Sequence, residues 1–272
     1  MTTLRELVAT LEELWPTRRA EPWDAVGLVS GDPGAEVERV LLCVDAVSAT
    51  VEEALETGAQ LLLAHHPLLL RGVTSIAEDR YKGRLLARLL RGGCALYAAH
   101  TNADVVERGT SGELARRLGL RKTEPIRPDP DEPGLGLGRV GELAEPIPLG
   151  RLAGLLARLL PATASGVRVA GAFDRPVRRI AVCGGAGDSL LGHPRVLGAE
   201  AYITSDLRHH PASEAIEQAV LDGGPALVDT SHWASEWLWL GAAAEQLRAA
   251  HPRLRVEVSE RNTDPWTFAV PQ

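Results

Sequence analysis

The sequence predicts an α/β protein of two lobes with mostly parallel or mixed sheets, and three observations carry that prediction. Short, nearly continuous apolar runs, "VERVLLCVD", "AQLLLAHHP" and "GCALYAAHTN", alternate with "SATVEEALETG" and "KGRLLARLLRGG", which have helical periodicity. Strands without polar alternation are buried on both faces, and strand–helix alternation implies a parallel sheet with right-handed crossovers. The same rhythm returns later, with "RRIAVC", "AYITS", "ALVDT" and "RVEVS" as strands and "SEAIEQAVLDGG" and "ASEWLWLGAAAEQLRAA" as helices. Between the two blocks, residues 121–138 hold four prolines and three glycines, the composition of a connector or exposed loop. The expected organisation is an N-terminal lobe over residues 1–120, a connector over 121–138 and a C-terminal lobe over 139–272, the two lobes forming one compact unit.

The individual elements follow in order. Leu4, Leu7, Val8, Leu11 and Leu14 recur at helical spacing, Thr3 and Glu6 form a capping box, and Pro16 stands just past the end. This is an amphipathic helix packed on something larger. After the first three strands and their helices, "GTSGELARRLGL" closes the first lobe as a further helix. The strand-like "GRVGEL" and the helix "LGRLAGLLARLL" beyond the connector fit either lobe, and no internal repeat is visible by residue identity.

Composition narrows the function. With 272 residues and 45% hydrophobic content the chain can bury a sizeable core. The net charge is -7 and charges of both signs are interspersed, so no basic stripe exists to draw a nucleic-acid backbone. The opening "MTTLRELVATLEELWP" lacks the pattern of a secretion signal, and no stretch approaches 18 uninterrupted apolar residues, so neither export nor membrane insertion is expected. Cys43, Cys94 and Cys183 are widely spaced in apolar runs, which suits buried free thiols in a reducing cytoplasm.

The polar outliers gather where the expected strands end, the usual place for ligands in open α/β sheets. His65 and His66 end one strand, His100 and Asp104 follow another, Asp206, His209 and His210 a third, and His232 and Glu236 a fourth. A lone histidine in an apolar run reads as a hydrogen-bonded core residue. The repetition at several strand ends argues otherwise. Adjacent strand residues point to opposite faces, but Pro67 removes a ladder donor where the strand gives out, so both imidazoles can turn to one cleft. Two adjacent imidazoles can serve two neighbouring metals, one each, if carboxylates elsewhere bridge them. His232 and Glu236, at i and i+4, share a helix face. Imidazoles with two carboxylates suit borderline divalent metals such as Zn, Fe, Mn or Co. Taken singly, His232 with Glu236 also fits a helix-surface pair, and Asp104 a turn or cap.

At these residues the chain resembles the Nif-three-like family, whose members are widely labelled GTP cyclohydrolase I type 2 homologues. The stretches "WDAVGLVSGD", "LLLAHHPLLL", "AAHTNADV", "CGGAGDSLL", "AYITSDLRHH" and "DTSHWASE" stand in the family's order and cover almost the whole chain. The resemblance implies two α/β lobes with a dinuclear metal site in the cleft between them, assembled as a toroidal homohexamer. By position it implies His65, His66, Asp104, His232 and Glu236 as ligands of two divalent ions per subunit (Zn, Fe or Mn), Asp104 and Glu236 bridging. His100 resembles a close neighbour or an extra ligand. Longer members carry an inserted middle domain, whose absence is implied by the short span around residues 121–165. Ala25, Ser205 and Ser231 depart from residues frequent in the family, Asn, Gly and Gly, which bears on any substrate pocket.

Two functional readings follow. In the first, a metal-dependent hydrolase uses a metal-activated water on a nucleotide or other small anionic substrate, with His100 or His210 moving protons. In the second, a non-catalytic ring buffers metal or scaffolds a partner. Weaker signals surround the cluster. "CGGAGDS" either opens a helix that receives an anion or is a tight turn capped by Asp188 or Ser189; it lacks a P-loop lysine. Asp45 either orients a ligand histidine or caps a turn. Asp206, His209 and His210 line the cleft or meet solvent, and Arg208 is an anion contact or an exposed helix-start residue. Trp233, Trp237 and Trp239 read as core or oligomer packing rather than purine stacking.

Overall fold

A computed structural model describes residues 2–270 and shows a mixed α/β chain with 5-stranded and 6-stranded sheets. The chain divides into two compact units: the chain up to Ala103 together with Leu240–Thr263, and Asp104–Trp239 together with the chain from Asp264 on. The division thus falls at 103/104 instead of 120/139, and one stretch of the C-terminal third belongs with the N-terminal unit.

In the first unit, the strands Arg39–Asp45, Leu61–His66 and Ala95–Ala98 lie parallel, linked by the helices Ser48–Glu56 and Tyr81–Arg91. Their interiors are apolar because both faces are covered; Val40, Leu42, Leu61, Leu62 and Leu63 have no exposed surface. One core packs Leu41, Cys43, Leu62 and Leu96 against Val51, Leu85 and Leu89 of those helices. The helix Leu4–Leu14 has the expected Thr3–Glu6 capping box and buries Leu4, Leu7 and Leu11. Two edges were not anticipated. Gly27–Ser30 adds an antiparallel strand beside Ala95–Ala98, and Arg255–Val258, expected in the second lobe, pairs in parallel with Arg39–Asp45. Which sheet a short apolar strand joins is decided by chain routing, which its own residues do not encode.

The second unit has the strand order Arg168–Ala170, Ala226–Thr230, Ala201–Ser205, Pro176–Ala186, Arg139–Pro148, Arg121–Glu124. The three strands in the middle of the first five are parallel, and the outer pairings are antiparallel. Residues 121–138 are therefore more than a connector: they supply the edge strand Arg121–Glu124 and the paired segments Arg127–Pro128 and Gly136–Leu137. Proline is tolerated there because edge strands need no full ladder of donors. The core gathers Ile126, Val140, Cys183, Leu190, Tyr202 and Leu227. Cys43, Cys94 and Cys183 are all free and buried. Among the described residues, no helix is long and apolar enough to cross a membrane.

Candidate metal centre

Within the first unit, three histidines meet at the strand ends. His65, fully buried, donates from Nδ1 to the Ala99 carbonyl at 2.8 Å; His66 donates from Nδ1 to Asp45 Oδ1 at 2.7 Å. His100, on the loop after Ala95–Ala98, does the same to Asp24 Oδ1 at 2.9 Å. Carbonyls and carboxylates only accept, so in each neutral ring the proton sits on Nδ1 and the lone pair on Nε2. The three rings stand 5.1 to 5.4 Å apart by centroid, and one ligand atom from each lies within 4.8 Å of the others. An oxygen acceptor behind each imidazole is the arrangement that orients a metal-ligating histidine and raises its basicity.

Two aspartates hold this geometry. Asp45 also accepts from Thr263 Oγ1, so its carboxylate is fixed from two sides. Asp24 accepts from His100, from the Thr101 backbone and hydroxyl, and from the Ala25 backbone. Burial would raise its pKa, but the hydrogen bonds from His100 and Thr101 prevail and hold it well below the usual carboxylate range. Sequence reasoning gave Asp24 no role. Its only signal was an acid set in the otherwise apolar and glycine-containing "WDAVGL".

The second unit carries its own His–carboxylate group. His232 opens the helix His232–Ala250; its Nδ1 donates to Asp206 Oδ2 at 2.7 Å and its Nε2 faces Glu236 Oε1 at 3.0 Å. The shared helix face expected from i and i+4 is thus observed. Burial would lower the His232 pKa, but the Glu236 charge and the hydrogen bonds to Asp206 and Glu236 push it up to about 11. Asp206 adopts φ 55, a left-handed backbone that side chains other than glycine seldom take, and its carboxylate lands on His232. Asp104 is buried and accepts from the Thr110 hydroxyl.

"CGGAGDS" has a role that neither expectation captured. Residues 183–186 finish the strand Pro176–Ala186 and lead into a three-residue turn, Asp188–Leu190, capped by Gly187 without a side chain. No anion-receiving helix forms. Gly185, at φ +68, lies so close to the carboxylate that an added Cβ would meet Glu236 Oε1 at 2.3 Å. The double glycine therefore admits Glu236. Asp188 instead pairs with Arg208 at 2.6 Å, which accounts for that arginine. His209 and His210 are exposed at the start of the helix His209–Asp222, their rings 5.2 Å apart. Trp233 and Trp239 are buried, as packing predicts, and Trp237 lies 6.4 Å from Trp233 by ring centroid.

The fold and the histidine cluster define an α/β protein whose imidazole and carboxylate groups could hold metal. The sequence pattern of the Duf34/NIF3 (NGG1p interacting factor 3) family matches residues 2–265, and the chain belongs to that family. A Streptomyces coelicolor protein named GTP cyclohydrolase 1 type 2 homolog is 50% identical over 276 residues, covering 99% of this chain and 95% of that protein. A Mycobacterium bovis protein of the same name is 34% identical over an alignment of 372 residues, covering 97% of each chain. That alignment is longer than the 272 residues of this chain. Among solved structures, a Staphylococcus aureus hypothetical protein matches with TM-score 0.88 and 27% identity, covering 98% of this chain and 99% of that one. A Bacillus cereus protein related to NIF3 matches with TM-score 0.88 at 23% identity over 98% of this chain and 99% of that one, which shows the shared fold.

Proposed function

We propose that the protein is a metal-dependent hydrolase with two divalent ions (Zn, Fe or Mn) per chain, held by His65, His66, Asp104, His232 and Glu236. The observation that carries this reading is the convergence of His65, His66 and His100, each with Nδ1 committed to an oxygen acceptor. Such a donor set fits borderline divalent cations. Bound cations supply Lewis acidity and lower the pKa of coordinated water toward neutrality. Asp45 and Asp206 orient His66 and His232 through Nδ1. His100, anchored by Asp24, presents Nε2 as a proton acceptor beside the ligands, and His210 is the second candidate for proton transfer. The substrate class is a nucleotide or other small anion, and the name carried by the relatives makes guanosine triphosphate the first compound to assay. The reading includes a cytoplasmic homohexamer.

The test combines elemental analysis, light scattering and turnover. Two metal equivalents per chain are expected, with Glu236→Ala and Asp104→Ala losing more metal than His66→Ala, because a bridging carboxylate neutralises two cations. Formate released from guanosine triphosphate identifies a cyclohydrolase, and phosphate a phosphoesterase. A fully metallated protein that turns over neither this nucleotide nor a panel of phosphoesters, yet exchanges metal with a chelator, is a metal-handling or scaffold protein instead.

A further inference from the structure

At the amino ends of the first unit's parallel strands, opposite in strand direction to the histidines, a cavity of about 500 Å³ is lined by Arg39, Arg253 and Arg255. Thr2, Gln60 and Glu38 supply further polar walls. The volume is in the range of small-molecule sites.

The arginines there lack the carboxylate partners that several others have. Acids outnumber bases, 36 to 29, and arginines elsewhere meet carboxylates in some places and backbone carbonyls, as Arg139 and Arg175 do, in others. Arg91 pairs with Glu78, Arg116 and Arg117 with Glu113, Arg168 with Asp229, and Arg208 with Asp188. Among the described residues, neither Arg253 nor Arg255 has a carboxylate partner within ion-pair distance. Arg39 is held by a hydrogen bond to the Thr57 carbonyl at the end of the helix Ser48–Glu56. That contact satisfies one edge of its guanidinium without neutralising it.

The strand register brings two of these charges together. Arg255 stands in direct register with Arg39 on the neighbouring parallel strand, so the two side chains leave the same face of the sheet about 4.8 Å apart at the backbone. Like charges opposed across a sheet are destabilising. Arg253 adds a third positive charge two residues earlier. Glu38 is the one carboxylate in the wall; Gln60 Oε1 is occupied by the backbone N–H groups of Glu38 and Arg39.

We propose that this cavity binds a compact anion carrying two or more charges, of the phosphate-ester or pyrophosphate class, through the guanidinium groups of Arg253 and Arg255 with Arg39 as the fixed member. Guanidinium forks match phosphate oxygens in pairs, and a bound anion cancels the repulsion between Arg39 and Arg255. The site is separate from the histidine cluster and stands whether or not that cluster is hydrolytic.

Titration of the purified protein with inorganic pyrophosphate, followed by calorimetry and phosphorus NMR, tests the proposal. One equivalent should bind outside the histidine cluster and persist in His66→Ala. The double variant Arg253→Gln/Arg255→Gln, both positions being exposed, should weaken binding about tenfold or more while leaving metal content unchanged. Glu38→Gln should tighten it, and Arg255→Gln should raise the melting temperature of the anion-free protein by relieving the repulsion. Pyrophosphate affinity unchanged in the double variant overturns the proposal, as does binding that disappears in His66→Ala but survives in the double variant.

Discussion

Gly185 and Gly58 share φ +68 and differ in what surrounds them, so an alanine at each compares left-handed backbone strain with and without contact with the carboxylate. Gly58 follows the helix Ser48–Glu56 by two residues, and nothing lies within 4 Å of its hypothetical Cβ. Gly58→Ala should therefore cost only the left-handed backbone penalty, about 1–2 kcal/mol. At Gly185 the same penalty applies, and the new methyl meets Glu236 Oε1 at 2.3 Å and His232 Nε2 at 3.2 Å. Glu236 has 4% of its side chain exposed and contacts His232 at 3.0 Å, so moving it forfeits a charge-assisted hydrogen bond in a buried place. That adds about 1.5–3 kcal/mol. Gly185→Ala should thus destabilise by about 2.5–5 kcal/mol, roughly 2 more than Gly58→Ala. Urea denaturation followed by far-UV circular dichroism measures both, and elemental analysis should show metal lost from the Gly185 variant alone. Equal stability losses with equal metal content would refute the contact argument.

Other outcomes follow from the same geometry. Asp45→Ala should weaken metal binding by about 10–100-fold through His66, with Asp45→Asn recovering part of the loss; competition with a chromogenic chelator reads the order. Glu113, buried and paired with Arg116 and Arg117, has a pKa that burial would raise but that the arginine hydrogen bonds and charges lower from 4.5. A depressed folded pKa stabilises above the unfolded value, so Glu113→Gln should cost about 1–3 kcal/mol at neutral pH. The difference from wild type should shrink as pH falls through and below 4.5, which denaturation at a series of pH values checks. Burial pushes the Cys94 and Cys183 thiols up to about 12, and Cys43 is raised as well. Ellman's reagent should consume no thiol in the folded protein and three after unfolding; rapid reaction of the native chain would contradict the burial.

Much of this was legible in the residues because two periodicities are written there plainly. Runs such as "VLLCV" and "LLLA" admit few structures besides covered parallel strands, and strand ends follow from them, which is why His65 and His66 were found. The i, i+4 spacing likewise exposed His232 with Glu236. What stayed hidden depends on contacts between distant positions. Asp24 meets His100 across 76 residues, and nothing local distinguishes it from a loop acid. Gly185 looked like a turn or phosphate glycine, since a carboxylate pressing on its Cα has no trace in its neighbours. Arg255–Val258 was legible as a strand but not as a partner of Arg39–Asp45.

That last pairing has a consequence for how the chain is made. Val40–Val44 is an apolar strand flanked on one side by Leu61–His66 and on the other by residues synthesised about two hundred positions later. At typical elongation speeds the interval is roughly 10–40 s. Throughout it a nascent chain carries an open, hydrophobic sheet edge, the feature that recruits chaperones or recruits another copy of itself. The N-terminal unit is therefore completed only once residues 255–258 have been made, and premature stops before residue 255 should yield products that aggregate rather than folded fragments.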